Sequence, residues 1–192
     1  PLIGGDTTKG NLSITIQVGG YIDSGKTLTR NGASIGDLIY VTGCIGEARA
    51  GFKKIKKGES DNLRSNRYLR PEIRFGVAKR LLGTASSSID ISDGLFQDLS
   101  HICKESKVGA EVILEKIPTF LSKVLSVQEI NLGDDYEILF TTSKSNKLKI
   151  SEIAKEEDLL ISEIGSIKDG SGIEILSSDG KLMQIPSGYQ HF

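Results

Sequence analysis

Apolar residues alternate with more polar ones near the start of the chain. Leu12, Ile14, Ile16 and Val18 occupy every second position within residues 12–22, and this period predicts a β-strand with one apolar face. Alternating residues, or short runs of β-branched and apolar residues, predict further strands along the chain. Those strands cover residues 38–42, 84–91, 110–114, 136–142, 160–167 and 173–177, with a last short strand after a turn at 178–180.

Other segments repeat their apolar residues at helical spacing. The predicted helices cover residues 46–56, part of 60–69, 71–82, 92–108, a short stretch from Pro118, and 143–157. Proline in a first turn and glycine after a last turn are typical of such helix limits. Helices and strands interleave, whereas residues 160–185 have the pattern of antiparallel pairing. This mixture predicts an α+β fold.

Two aspartates stand three residues apart where the strand over 84–91 meets the next helix. Asp90 ends an otherwise apolar strand, and Asp93 stands at the predicted start of the helix. A structural role as N-cap accounts for Ser92 or Asp93, but it does not account for Asp90. Two carboxylates beside a helix N-terminus can hold Mg²⁺, and the helix end favours phosphate. The corner therefore predicts a site for metal and phosphate.

A third aspartate follows two glycines near the start of the chain. Gly4 and Gly5 precede Asp6, and glycines allow a backbone to approach a ligand closely. Asp6 can then bind a metal while the Gly5 amide binds phosphate. On these residues alone, however, a glycine-rich turn in which Asp6 bonds its own backbone is the better-supported interpretation.

An acidic segment introduces the strand predicted over 136–142. Asp134, Asp135, Tyr136 and Glu137 stand together at its entrance. Acids at this position can protect a sheet edge, lie in a solvated turn or bind a cation. The residue types leave all three interpretations open.

Composition and charge give no support for several classes of partner. The chain of 192 residues has 24 Lys and Arg against 25 Asp and Glu, for a net charge of −1. This balance does not favour nucleic acid or an anionic membrane surface, and no apolar run reaches the ~18 residues of a membrane helix. Cys44 and Cys103 lack the spacing of a zinc site or a disulfide framework. We therefore expect a cytoplasmic protein.

Five segments taken together resemble the thiamine-monophosphate kinase family. They are LIGGDTTKG at 2–10, TLTRNGASIGDLIYVTG at 27–43, SSIDISDGLFQDLSHI at 87–102, GDDYEILFT at 133–141 and GYQHF at 188–192. The family belongs to the aminoimidazole-ribonucleotide-synthetase-like superfamily of ATP-dependent enzymes. The resemblance implies that the γ-phosphoryl group of ATP is transferred to thiamine monophosphate, which gives thiamine diphosphate.

The resemblance also implies roles at the nucleotide and metal site. Gly5, Asp6, Arg30 and Ser92 resemble residues that contact ATP, and the planar Arg30 guanidinium suits a phosphate. The carboxylates that resemble magnesium ligands are Asp6, Asp90 and Asp93.

On the substrate side, Asp134 and Tyr189 resemble residues that contact thiamine monophosphate. The thiazolium ring is a cation, so a carboxylate and an aromatic face suit it chemically.

Two positions depart from the family pattern. Leu132 replaces the first glycine of the family's GGDDYE segment, and Gln190 stands where an acidic residue is frequent.

The domain organisation that the resemblance implies has two parts. Residues 1–30 resemble the end of an N-terminal domain that binds ATP and Mg²⁺, and they include its last strand. Residues 31–192 resemble the C-terminal α/β domain. Family members carry further metal-binding aspartates and most of their homodimer contact in the N-terminal domain. We therefore expect activity as part of a longer enzyme, or with a separate N-terminal chain.

Two alternatives to this interpretation remain open. One is another ATP-dependent enzyme of the same superfamily, such as a purine-pathway synthetase, a selenophosphate synthetase or a hydrogenase-maturation dehydratase. The GDDYE and GYQHF segments speak against it. The other is a non-catalytic remnant of a split gene, which the intact Asp6, Arg30, Asp90 and Asp93 oppose.

Overall fold

A seven-stranded mixed sheet organises the chain after residue 37. The computed structural model describes residues 2–59, 67–120 and 125–183. The sheet has the order β2-β4-β1-β5-β3-β6-β7, and its hydrogen-bonded neighbours are antiparallel except for β3 and β6. The strands are β1 (Leu38–Thr42), β2 (Ser87–Asp90), β3 (Gly109–Ile113), β4 (Ile138–Thr142), β5 (Ile161–Lys168), β6 (Gly172–Leu176) and β7 (Leu182–Met183).

Helices lie against the two faces of this sheet. They are α1 (Glu47–Lys56), α2 (Phe75–Leu81), α3 (Leu95–Ser106), α4 (Val127–Ile130) and α5 (Lys147–Glu156), with 3₁₀ turns at Leu114–Lys116 and Lys144–Asn146. Side chains of β1 alternate between two apolar cores, as the two-residue period requires. Ile39 and Val41 join the core that contains α3, whereas Leu38 and Tyr40 join the core that contains α2 and α5. The α+β prediction is confirmed.

The strand predicted over residues 12–22 is wrong. Leu12, Ile14, Ile16 and Val18 are 81% to 95% exposed, and the segment pairs with no strand within the described residues. A strand depends on a neighbouring strand to satisfy its backbone N–H and C=O groups. Alternation of side chains is therefore insufficient here, because residues 12–22 have no such neighbour among the described strands.

Three helix limits also differ from the predictions. Residues 71–74 are not helical, so α2 begins at Phe75 rather than at Pro71. Residues 118–120, the described part of the helix predicted from Pro118, are not helical: the Pro118 carbonyl accepts the Ile45 N–H at 2.8 Å, and Thr119 bridges to Ile45. Helix α3 begins at Leu95 instead of Ser92 or Asp93. The helix predicted within 60–69 lies mostly outside the described residues.

The register of β2 and β4 determines where the candidate residues meet. Asp90, the last residue of β2, is paired with Ile138, the first residue of β4. Because the strands are antiparallel, the loop that leaves β2 and the loop that enters β4 emerge at the same end of the sheet. Two of the sequence motifs therefore come together there.

Candidate active site

Two loops are hydrogen-bonded to each other at this end of the sheet, and we call residues 90–94 and 131–137 the paired loops. The Ile91 amide donates to the Glu137 carbonyl, and the Tyr136 amide donates to the Ile91 carbonyl, both at 2.8 Å. The Asp134 amide donates to the Ser92 carbonyl at 2.9 Å. These three bonds fix one loop against the other, so the two acidic motifs form one structural unit.

The start of α3 is held by residues that the sequence patterns did not identify. The Asn131 side-chain oxygen accepts the N–H groups of Phe96 and Gln97, each at 3.1 Å. The residue at the N-cap position is Gly94, and no side chain caps the helix from there. Asp93 therefore does not serve as the cap.

Asp98 reaches back from the first turn of α3 into the loop that precedes it. Its Oδ2 atom accepts the amides of Ser92, Asp93 and Gly94 at 3.0, 3.1 and 3.2 Å. Burial raises the pKa of Asp98 to about 6, and the nearby Asp93 charge adds to the shift, whereas the three amides oppose it. The sequence analysis assigned no role to Asp98.

A small group of possible metal-binding atoms includes one of the predicted ligands. Three side chains, those of Asp93, Asp98 and His101, each offer one atom that can bind a metal, and these three atoms lie within 4.8 Å of one another. His101, which belongs to α3, thus lies beside the acidic loop. Asp90 does not belong to this group and is exposed at the end of β2.

Charges from both paired loops affect the hydroxyl of Tyr136. Burial raises the pKa of the Tyr136 hydroxyl, and the charges of Asp134, Asp90 and Asp93 raise it further in that order. Tyr136 remains 43% exposed. The hydrogen bonds between the paired loops bring the segment that contains Asp90 and Asp93 beside the segment that contains Asp134. Sequence reasoning assigned no role to Tyr136.

Arg30 borders an open groove beside β2. The segment before it is attached to that strand, since the Ser88 amide donates to the Thr29 carbonyl at 2.7 Å. Arg30 is exposed and shares the groove, of about 540 Å³, with Asp90 and Glu105. The structure thus places a cationic side chain and a predicted metal ligand along one cavity.

The other predicted residues are not joined to this unit. Asp6 is exposed and accepts the Thr7 amide at 2.7 Å, as expected for an Asp that bonds its local backbone. Nothing lies within 4 Å of the position that a Cβ would take at Gly4 or Gly5, so this segment is not packed against the paired loops. Tyr189 lies outside the described residues.

Two acids of the GDDYE segment are structural. Asp135 accepts the amides of Gly46 and Ala48 at 2.8 and 3.3 Å, and it thereby satisfies the start of α1. Glu137 is fully buried and binds Arg74 through two bonds of 2.8 and 2.7 Å. It also accepts the Thr42 hydroxyl and pairs with Arg67. Asp134 is half-buried, and its backbone amide donates to the Ser92 carbonyl of the other loop.

Comparison with known proteins assigns the family. Residues 34–177 match the family model described as AIR synthase related protein, C-terminal domain. The chain belongs to this family. Family membership agrees with the mixed sheet, and the described helices include none that is long and apolar enough to cross a membrane.

The resemblance to thiamine-monophosphate kinases is confirmed over the whole chain. The chain is 38% identical to the thiamine-monophosphate kinase of Buchnera aphidicola subsp. Schizaphis graminum. The aligned region covers 100% of this chain and 64% of that protein. The thiamine-monophosphate kinase of Stenotrophomonas maltophilia K279a matches at 31% identity and a TM-score of 0.75, covering 84% of this chain and 56% of that one. A structure named AaThiL complexed with AMPPCP and TMP matches at 30% identity and a TM-score of 0.71. This match covers 86% of this chain and 54% of that one. The chain thus spans less than two thirds of these relatives.

Proposed function

We propose that this chain provides the C-terminal domain of a kinase that uses ATP to phosphorylate thiamine monophosphate to thiamine diphosphate. The observation that carries the proposal is the pairing of the two acidic loops, because the Asp134 amide donates to the carbonyl of Ser92, which stands between Asp90 and Asp93. A phosphoryl-transfer site needs metal-binding carboxylates close to the acceptor substrate. The AaThiL complex with AMPPCP and TMP supports the choice of reactants.

The carboxylate oxygens at the paired loops are the type of ligand that magnesium prefers. Mg²⁺ prefers oxygen ligands and is commonly held by one or two carboxylates, with phosphate oxygens and water completing its shell. Asp90 and Asp93 would supply two such carboxylates, and Asp6 a third. When bound, Mg²⁺ neutralises charge on the transferred phosphoryl group. His101 beside Asp93 offers a nitrogen, which is a less suitable donor for this ion.

The nucleotide would lie along the groove that Arg30 borders. A guanidinium can bind phosphate through two parallel hydrogen bonds, which position the phosphate as well as neutralise it. Ser92 stands between the two proposed metal ligands and would contact the same phosphates. Gly5 and Asp6 would complete the nucleotide site once their segment packs against the paired loops.

Asp134 and Tyr189 would bind the acceptor substrate. Thiamine monophosphate carries a thiazolium cation, which a carboxylate and an aromatic face attract. Asp134 has a positive φ of 68°, a backbone state that non-glycine residues rarely adopt and that often occurs at functional sites. The strained Asp134 thus supports placing the substrate beside the paired loops.

The full activity would need an N-terminal domain, from the same polypeptide or from a separate chain. The exposed alternation of Leu12, Ile14, Ile16 and Val18 suits a strand that pairs with such a domain. Residues 1–30 would then belong to the ATP-binding and magnesium-binding domain, and residues 31–192 to the C-terminal domain. The assembled enzyme would be a cytoplasmic homodimer.

The test is product formation from ATP and thiamine monophosphate. We expect thiamine diphosphate when this chain is mixed with the separately produced N-terminal domain of the Buchnera relative, and little from either part alone. Asp93→Asn removes one charge of the proposed metal site and should abolish most of the turnover. Absence of product from the mixture, with both parts folded, would contradict the proposal.

A further inference from the structure

Asp98 is a buried carboxylate whose hydrogen bonds go to the loop that carries the proposed site. The residue is 2% exposed. A single oxygen, Oδ2, accepts the consecutive amides of Ser92, Asp93 and Gly94 at 3.0 to 3.2 Å. Hydrogen bonds to a charged acceptor are stronger than neutral ones, so this oxygen strongly favours one conformation of the loop.

Helix capping does not explain these bonds. The amides that Asp98 binds belong to residues before Leu95, the first residue of α3. The helix's own unpaired amides at Phe96 and Gln97 are satisfied by Asn131. Asp98 therefore shapes the loop that precedes the helix, and a different residue stabilises the start of the helix itself.

The loop is also enclosed on its other side. A Cβ at Gly94 would lie 2.6 Å from the Asn131 carbonyl oxygen, and Gly94 has a φ of 127°. The Ser92 carbonyl accepts the Asp134 amide. With one side fixed by the second of the paired loops and the other by Asp98, the backbone of Ser92 and Asp93 is determined from both directions.

We infer that Asp98 is a positioning residue, which holds the Ser92–Gly94 backbone so that the Asp93 carboxylate is set for a divalent cation. The inference rests on the proposed function, because that function gives Asp93 its metal. Asp98 acts through backbone amides and contacts neither the nucleotide nor the acceptor substrate in this assignment. Groups that orient metal ligands commonly affect metal affinity about 10- to 100-fold.

The first measurement follows the loop itself in the 192-residue chain. In Asp98→Ala, amide hydrogen exchange at Ser92, Asp93 and Gly94 should accelerate by about tenfold or more, since their acceptor is gone. Asp98→Asn keeps an oxygen of the same geometry without the charge and should give an intermediate rate. Unchanged exchange in both variants would overturn the inference.

The matched control is Asp37, a buried aspartate at the other end of the same sheet. Its Oδ2 accepts the Ser34 amide at 3.0 Å and the Ser86 hydroxyl at 2.6 Å. Ser86 is four residues from Asp90, which places this acceptor ~13 Å away along the strand. Asp37→Ala should lower the free energy of unfolding. The amides of Ser92–Gly94 should nevertheless exchange more slowly in this variant than in Asp98→Ala.

The second measurement is Mn²⁺ binding, followed by electron paramagnetic resonance as a stand-in for Mg²⁺. We expect Asp98→Ala to weaken the affinity about tenfold or more relative to the wild-type chain, with Asp98→Asn between the two and Asp37→Ala close to wild type. Should Asp98→Ala fail to fold, the Asn variant carries the test against the same control. Equal affinity of wild type and Asp93→Asn would overturn the inference, as would equal weakening by Asp37→Ala. If the wild-type chain binds Mn²⁺ but its mixture with the N-terminal domain forms no thiamine diphosphate, the result would instead count against the proposed function.

Discussion

Gly133 lies directly against the carbonyl oxygen of Ser92. A Cβ at residue 133 would stand 2.3 Å from that oxygen, and Gly133 also has a φ of 73°. Both the space and the backbone conformation therefore require glycine at this contact between the paired loops. The close approach allows the Asp134 amide to reach the Ser92 carbonyl.

Gly133→Ala should separate the paired loops. We expect a loss of more than ~2 kcal/mol in the free energy of unfolding, because a steric clash with backbone adds to the cost of the left-handed conformation. The matched control is Gly180→Ala, since Gly180 has a φ of 80° but nothing within 4 Å of its Cβ position. Urea denaturation of both variants measures the difference. Equal losses would show that the Ser92 contact contributes nothing.

Asp135 should make stability depend on pH. Burial raises its pKa from 3.8 to about 7 and Glu137 adds to the shift, whereas Arg67 and the amides of Gly46 and Ala48 oppose it. Between pH 4 and 7 the folded state therefore keeps a proton on Asp135 that the unfolded state has released. The contribution of Asp135 to the free energy of unfolding is fully present below pH 4 and is lost as the pH rises towards 7.

The comparison is with Asp135→Asn, which keeps an acceptor oxygen and does not titrate. Between pH 4 and 7, the wild-type free energy of unfolding should fall relative to that of the variant by more than ~1 kcal/mol. Chemical denaturation across this range gives the difference directly. A difference that stays constant with pH would contradict the raised pKa.

Glu137 should be far more important for stability than an exposed ion pair. Its carboxylate is fully buried between Arg74 and Arg67, whose side chains are 15% and 9% exposed. Glu137→Ala leaves both guanidinium groups without this partner and should cost roughly 3–5 kcal/mol. Asp23→Ala, which breaks the exposed pair with Lys26, should cost less than ~1 kcal/mol. Similar losses in thermal or urea denaturation would contradict this ranking.

Arg30 should affect nucleotide binding without affecting the fold. Its side chain is exposed, and its backbone carbonyl accepts the Ser106 hydroxyl in any variant. Arg30→Lys replaces a two-pronged donor by a point charge, so the KM for ATP in the assembled enzyme should rise roughly tenfold. Arg80→Lys is the control, because Arg80 pairs with Glu156 and Glu157 away from the groove. An unchanged KM would remove Arg30 from the nucleotide site.

The sequence by itself determined most of the regular elements. The strand predicted over 38–42 matches β1 residue for residue, and the helix predicted over 46–56 matches α1 within one residue. Ser143, the first residue of the helix predicted over 143–157, caps the turn that leads into α5. These features depend on local side-chain periodicity and on capping by neighbouring residues, and both are visible in a short stretch of chain.

Contacts between distant segments were decided by the tertiary structure alone. Asn131 caps a helix that begins 36 positions earlier, at Leu95, and Asp135 satisfies amides 87 and 89 positions away. The sequence identified Asp90 and Asp93 as a pair, but it could not separate the structural acids Asp135 and Glu137 from the binding candidate Asp134. A carboxylate's role depends on its burial and on the donors that reach it, and only the folded sheet brings those donors within hydrogen-bonding distance.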